Sequence, residues 1–266
     1  MSHDDAIPHV AAEPVPPRPT DRLAHLTAHR GLIVRRALLV GAIRGFLPLP
    51  LADERLASRL RMGLLAKLAS GRQVDLPEGA AAVLAAAPAA SSLTLAAAAA
   101  LLAKFAGRRF LALLAAGHGA EEMALDFCRA TLFDHYCAKL HVGGPITPAQ
   151  AEALREVIER EIRGSATASI LAAFREGSRI LGRSLFEAPR WLLRRLADLA
   201  ERFVRGGGNP DVLDAVPEPR AGDDSFIERA GRAVEEALGR TAGAGLGRMV
   251  DGFERRWQGG ERGGSD

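Results

Sequence analysis

The sequence predicts an all-α protein: a helical bundle with an Ala-rich apolar helical hairpin and a separate C-terminal amphipathic helix. Three observations predict it. Leu56, Leu60, Leu64 and Leu68 recur every fourth residue, with Arg55, Arg59, Arg61 and Lys67 at other angles, which is the period of an amphipathic helix. Apolar residues make up 48% of the 266-residue chain while aromatics make up 5%, so the core must be built from Leu, Ala and Val, which suits close helix–helix contact. Helix-start signals also recur, the strongest being Thr147-Pro148-Ala149-Gln150, with Thr as N-cap and Pro at the first helical position.

Taken in order, residues 1–19 are polar and carry Pro8, Pro14, Pro16, Pro17 and Pro19, the composition of a disordered, partly polyproline arm. An apolar helical core domain follows over 20–142. Thr20 or Asp21 can cap a first helix that runs through His29 or on to Phe46, with Gly41 and Gly45 four apart and permitting close packing. Arg35, Arg36 and Arg44 make it a poor membrane span, since each charge near a bilayer centre costs about 2.5 to 3.5 kcal/mol. Pro48 and Pro50 end this helix near Phe46, and Asp53 starts the next one, with Gly71 placed to stop it.

The order of an apolar helix, Leu-Pro-Leu-Pro-Leu-Ala-Asp at 47–53, a helix carrying Met62 and then an Ala-rich apolar region resembles the domain-of-unknown-function family 697 over roughly Arg30 to Cys137. Members of that family are helical, often stand beside GTPase domains and include bacterial inner-membrane proteins. The resemblance implies a helical protein at or in the inner membrane and supplies no catalytic residue.

Residues 79–103 contain no charge for 25 positions, enough by length for a span. Fourteen of these are Ala and six are Leu or Val, so the apolar gain on insertion is only about 2 to 3.5 kcal/mol. Pro88 divides the run and Ser91 or Ser92 can cap its second piece, which makes a buried hairpin as good a reading as a membrane-inserted one. Gly117 to Gly119 are expected to break the chain before a helix from Ala120 to His141.

Charged and Arg-rich amphipathic helices are expected over 145–205. Pro189 divides the second of them, and Arg190, Trp191, Arg194 and Arg195 beyond it form the kind of face that an anionic membrane surface attracts; the plainer reading is a surface helix with solvated arginines. Gly206, Gly207, Gly208, Pro210, Pro217 and Pro219 mark a linker at 206–224. One helix at 225–257 is expected next, with Gly239, Gly243 and Gly247 at every fourth position able to seat a partner helix or a second copy, and then a disordered tail at 258–266.

Three lysines against 32 arginines, with abundant Ala and Gly, point to a GC-rich bacterial genome, which discounts arginine content as a functional signal. A net charge of +3 is too small for a nucleic-acid-binding protein. No phosphate-binding glycine loop is present, so no nucleotide is expected. Cys128 and Cys137 supply no disulfide framework, and His3, Asp4 and Asp5 lead into prolines rather than an apolar export signal, so the expected place is the cytoplasm, including the cytoplasmic face of the inner membrane.

Chemistry is sparse. Asp134, Cys137 and His141 at i, i+3 and i+7 share one face of a helix and are the candidate metal ligands, the basis of a weak metal-enzyme alternative. There is no Cys-x-x-Cys, His-Glu-x-x-His or Gly-x-Ser-x-Gly pattern, so no catalytic residue and no cofactor is assigned. The sequence favours a non-enzymatic helical protein that is membrane-associated and scaffolding at the cytoplasmic face, with a soluble interaction module as the alternative.

Overall fold

The computed structural model describes residues 23–46, 53–86, 108–165, 167–187 and 226–263, and these are helical with no strand among them. The helices are α1 (Ala24–Phe46), α2 (Asp53–Gly71), α3 (Glu78–Ala85), α4 (Arg108–His135), α5 (Pro148–Gly164), α6 (Ala168–Glu187), α7 (Phe226–Thr241) and α8 (Gly243–Gly263), with a π-helical turn at Tyr136–Leu140 extending α4. The all-α class is therefore observed. The Pro-rich arm, the Pro48 and Pro50 corner, the second half of the Ala-rich run, the Arg190 to Arg195 face and the linker at 206–224 lie outside the described residues.

α4 is the centre of the molecule. Every residue from 130 to 137 is buried, so this helix is surrounded rather than laid on a surface, and α1, α2, α5, α6 and α8 all pack on it. Phe127 of α4 meets Phe174 of α6 with ring centroids 5.4 Å apart, among Leu38, Leu132, Phe133 and Val234. Such interdigitation of fully buried aliphatic and aromatic groups is the main stabilising term of the fold.

Contacts along the helices fix their directions. His25 and His29 of α1 meet His135 and Asp134, while Gly41 meets Met123, so α1 and α4 are antiparallel. α2 runs parallel to α4, its Arg61 reaching Asp126 and its Arg72 reaching Asp134. α7 is antiparallel to α1, Gly231 lying by Arg35 and Leu38, and Glu235 by Gly31. α6 starts with Ser169 against Gly245 and passes Leu38 at Gly177, parallel to α1. The ends of α1 and α6 and the beginnings of α2, α4 and α7 thus gather at one pole. α8 lies across the other pole, with Gly247 beside Leu23 and Glu254 beside His135.

Several local expectations need correction. α4 passes straight through Gly117 to Gly119 at its crossing with α1, where a Cβ on Gly119 would lie 3.8 Å from the Gly41 carbonyl, and packing there outweighs the roughly 1 kcal/mol that an interior glycine costs. α2 does not use Gly71 as its left-handed stop. Gln73 takes that role at φ 60°, and the bonds from Val74 N–H to the Ala69 carbonyl (2.9 Å) and Gln73 N–H to the Ser70 carbonyl (3.0 Å) close a Schellman motif. Gly71 is small for another reason: a Cβ there would stand 2.8 Å from His29 Nε2.

The single, separate C-terminal helix is instead two helices joined at Ala242 and built into the core, with Val234, Leu246, Val250 and Phe253 each 5% exposed or less. Their apolar stripe faces α1, α5 and α6, so it is consumed internally, and α8 continues to Gly263 through the expected tail. The Thr147 start forms as expected, as a full capping box: Gln150 N–H donates to the Thr147 hydroxyl, and Thr147 N–H donates to the Gln150 side chain.

Candidate functional site

The polar groups worth examining lie where α1, α2 and α8 meet the C-terminal half of α4. Asp134 is completely buried, and it accepts from Arg72 Nε on one oxygen and Arg72 Nη2 on the other, both at 2.8 Å. This is the fork geometry in which a guanidinium best neutralises a carboxylate. His29 Nδ1 donates to the same Asp134 Oδ1 at 2.8 Å, and Arg72 Nη2 also donates to the His25 carbonyl at 2.6 Å. The bond to Asp134 raises the Arg72 pKa despite burial, so the cation is held firmly.

A second chain of bonds starts one residue further on. His135 is 2% exposed, and its Nε2 lies 3.0 Å from Glu254 Oε1 while its Nδ1 lies 2.9 Å from His25 Nε2. Because a carboxylate can only accept, His135 donates from Nε2, and one proton lies between its Nδ1 and His25 Nε2. Burial lowers the His25 pKa, and the neighbouring His135, Lys139 and Arg72 lower it further. The relay ties α1, α4 and α8 together.

Halfway along α4, Asp126 accepts from Arg61 Nε at 3.0 Å and from Arg129 Nη1 at 3.0 Å, and Arg129 also binds Glu159 of α5 through Nε and Nη2. Arg36 is 7% exposed nearby, and burial lowers its pKa. The cavity beside these groups holds about 30 Å³, room for a water and no more.

The candidate metal ligands do not form a metal site. Asp134 is engaged by Arg72 and His29, whose positive and donor groups stand where a cation would have to approach. The π turn, closed by His141 N–H to the Tyr136 carbonyl at 2.8 Å, adds a residue to the helical turn and breaks the i, i+3, i+7 alignment. His141 leaves the helix with its ring between Tyr136 Oη (3.3 Å) and the Gly144 carbonyl (3.1 Å). Burial, with Asp134 adding to it, pushes the Cys137 thiol up to about 12, and burial does the same to Cys128, so both behave as apolar fillers. Among the described residues no group of three or more His, Cys, Asp or Glu is arranged to hold a metal ion.

The glycine series divides. Around Gly239 and Gly243 an added Cβ would meet nothing within 4 Å, and at Gly247 it would meet only Leu23 at 3.8 Å. No helix of the described chain is seated closely on them. The close helix contacts are made at Gly41, against Met123, and at Gly177, where a Cβ would lie 2.2 Å from Val234 and 3.3 Å from the Ala230 carbonyl.

The sequence reading missed His25, His29, Arg72 and Glu254. His25 and His29 carry a usable signal, since four-residue spacing puts two polar rings on the same side of α1 as Leu26 and Ile33. Arg72 and Glu254 carry none, being arginine and glutamate among many.

Comparison of the chain with family models, with curated proteins and with solved structures returns no match.

Proposed function

We propose that the protein is a non-enzymatic helical scaffold associated with the cytoplasmic face of a membrane, attached through one pole of the bundle. The observation that supports this is the direction of the helices. α1 and α6 end, and α2, α4 and α7 begin, at the same pole. In the sequence, the charge-free Ala-rich run precedes α4 and the Arg190, Trp191, Arg194, Arg195 group follows α6. Apolar sequence together with arginines and a tryptophan is the combination that binds anionic bilayers, and both parts here adjoin in sequence helix ends of that pole.

Among the described residues no helix is long and apolar enough to cross a membrane. The first arm of the Ala-rich run is α3, whose Ala80, Ala81 and Ala85 are buried and which packs on α2 and α5. The inserted portion in this reading is therefore confined to the sequence after Ala86. The resemblance to family 697 agrees with the same placement.

Fractionation of the expressed full chain, followed by alkaline carbonate and high-salt extraction of the membrane pellet, tests the reading. Membrane recovery that resists both treatments, or that salt releases and that replacement of Arg190, Arg194 and Arg195 by Glu abolishes, supports it. Recovery in the soluble fraction from the outset overturns it and leaves a soluble interaction module, with the open surface at Gly239 and Gly243 as its docking face.

A further inference from the structure

Between the end of α5 and the outer face of α8 lies a cleft of about 530 Å³, within the range of small-molecule sites and far larger than the cavity beside Asp126. Arg248, Arg255 and Arg256 line it from α8. With Gly252 they occupy positions i, i+4, i+7 and i+8, so a single helix face carries three guanidiniums around a gap with no side chain. Arg248 and Arg255 form no ion pair with another described residue.

The opposite wall is built to orient the third arginine. Glu161 is 5% exposed; its Oε2 accepts from Arg256 Nε at 2.7 Å and its Oε1 from the Ser165 hydroxyl. Holding Arg256 through Nε leaves its two terminal nitrogens for another partner, and Nη2 lies over Gly164, 3.4 Å from where a Cβ would be. Gly252 makes this possible, because a Cβ there would stand 2.3 Å from Glu161 Oε1.

We propose that this cleft binds a small soluble phosphate ester, with Arg248, Arg255 and Arg256 on the phosphate and Glu161 as the residue that positions Arg256. Three cations against one carboxylate leave an excess of two positive charges, which matches a phosphate monoester dianion. The cleft also has space for an organic group beyond the phosphate. A lipid head group could present the same chemistry. The cleft, however, adjoins Ser169 at the start of α6, at the pole opposite the one where α6 ends and α4 begins, which on the membrane reading above favours a ligand from solution.

The test is calorimetric titration of the full chain with glycerol phosphate at low salt, with vesicles containing phosphatidic acid titrated separately. The expected result is saturable one-to-one binding of glycerol phosphate, weakened at least about tenfold when Arg248→Gln and Arg255→Gln are combined and unchanged in Arg163→Gln, an exposed arginine outside the cleft. Both cleft arginines are exposed, so the fold should be retained, and helical circular dichroism checks it. Absence of saturable binding by the wild type would overturn the proposal. So would an equal loss in Arg163→Gln, and binding to the vesicles without binding to glycerol phosphate would assign the phosphate to a lipid instead.

Discussion

Asp134 and His135 are adjacent on α4, yet they terminate two different networks on two different sides of that helix. A fully buried carboxylate is tolerated only because the Arg72 fork and the His29 ring satisfy it; a buried charge left alone would cost several kcal/mol. His25 has the opposite requirement, since burial and nearby positive charge hold it neutral. Its folded pKa lies below the unfolded value, so the unfolded chain takes up this proton first as pH falls. The stability contributed by His25 is present above about pH 6.5 and is lost as pH falls below it towards the folded pKa. Urea unfolding of the wild type and of His25→Gln at pH 7.5 and 5.5 measures this. The wild type is expected to lose more stability between the two pH values than the variant does, and equal losses would sink the argument.

Glycine has three different uses among these helices. At Gly41 and Gly177 it permits close helix approach, at Gly71 and Gly252 it makes room for the His29 and Glu161 side chains, and at Gly239 and Gly243 it faces open space. The substitution Gly239→Ala is therefore expected to stabilise the protein by about 0.5 to 1 kcal/mol, the usual gain at an exposed helix position. Gly177→Ala drives a methyl into Val234 and should cost about 1 to 3 kcal/mol. Denaturant midpoints compare the two, and a loss at Gly239 would mean that a partner or another copy covers that face. Spacing alone could not separate these cases: Gly239, Gly243 and Gly247 have regular four-residue intervals, while Gly41 and Gly177 are the glycines at helix crossings.

At the scale of the molecule, α8 closes one pole and five helix ends, those of α1 and α6 and the beginnings of α2, α4 and α7, crowd the other. The C-terminal pair is not detachable, since Ala230, Val234 and Phe253 are fully buried and Glu254 completes the His135 relay. A chain ending at residue 224 would uncover Leu38, His135 and Tyr136 and is expected to lose its single cooperative unfolding transition in circular dichroism. Retention of that transition would show that α7 and α8 form a separate unit after all. The same polarity divides the two proposed activities, with membrane attachment at the crowded pole and phosphate binding beside α8.

The sequence by itself determined the helical class, the amphipathic period of α2 and the helix start at Thr147 and Pro148, because each follows from interactions within a few residues. Tertiary structure alone decided that α4 runs through its glycines, that Gln73 rather than Gly71 turns the chain, and that Asp134 belongs to Arg72 and His29 instead of a metal. It also built the arginine cleft. The Gln73 turn apart, which local bonds close, the deciding contact in each joins helices far apart in the chain, where packing energy exceeds the local preferences that a sequence pattern records.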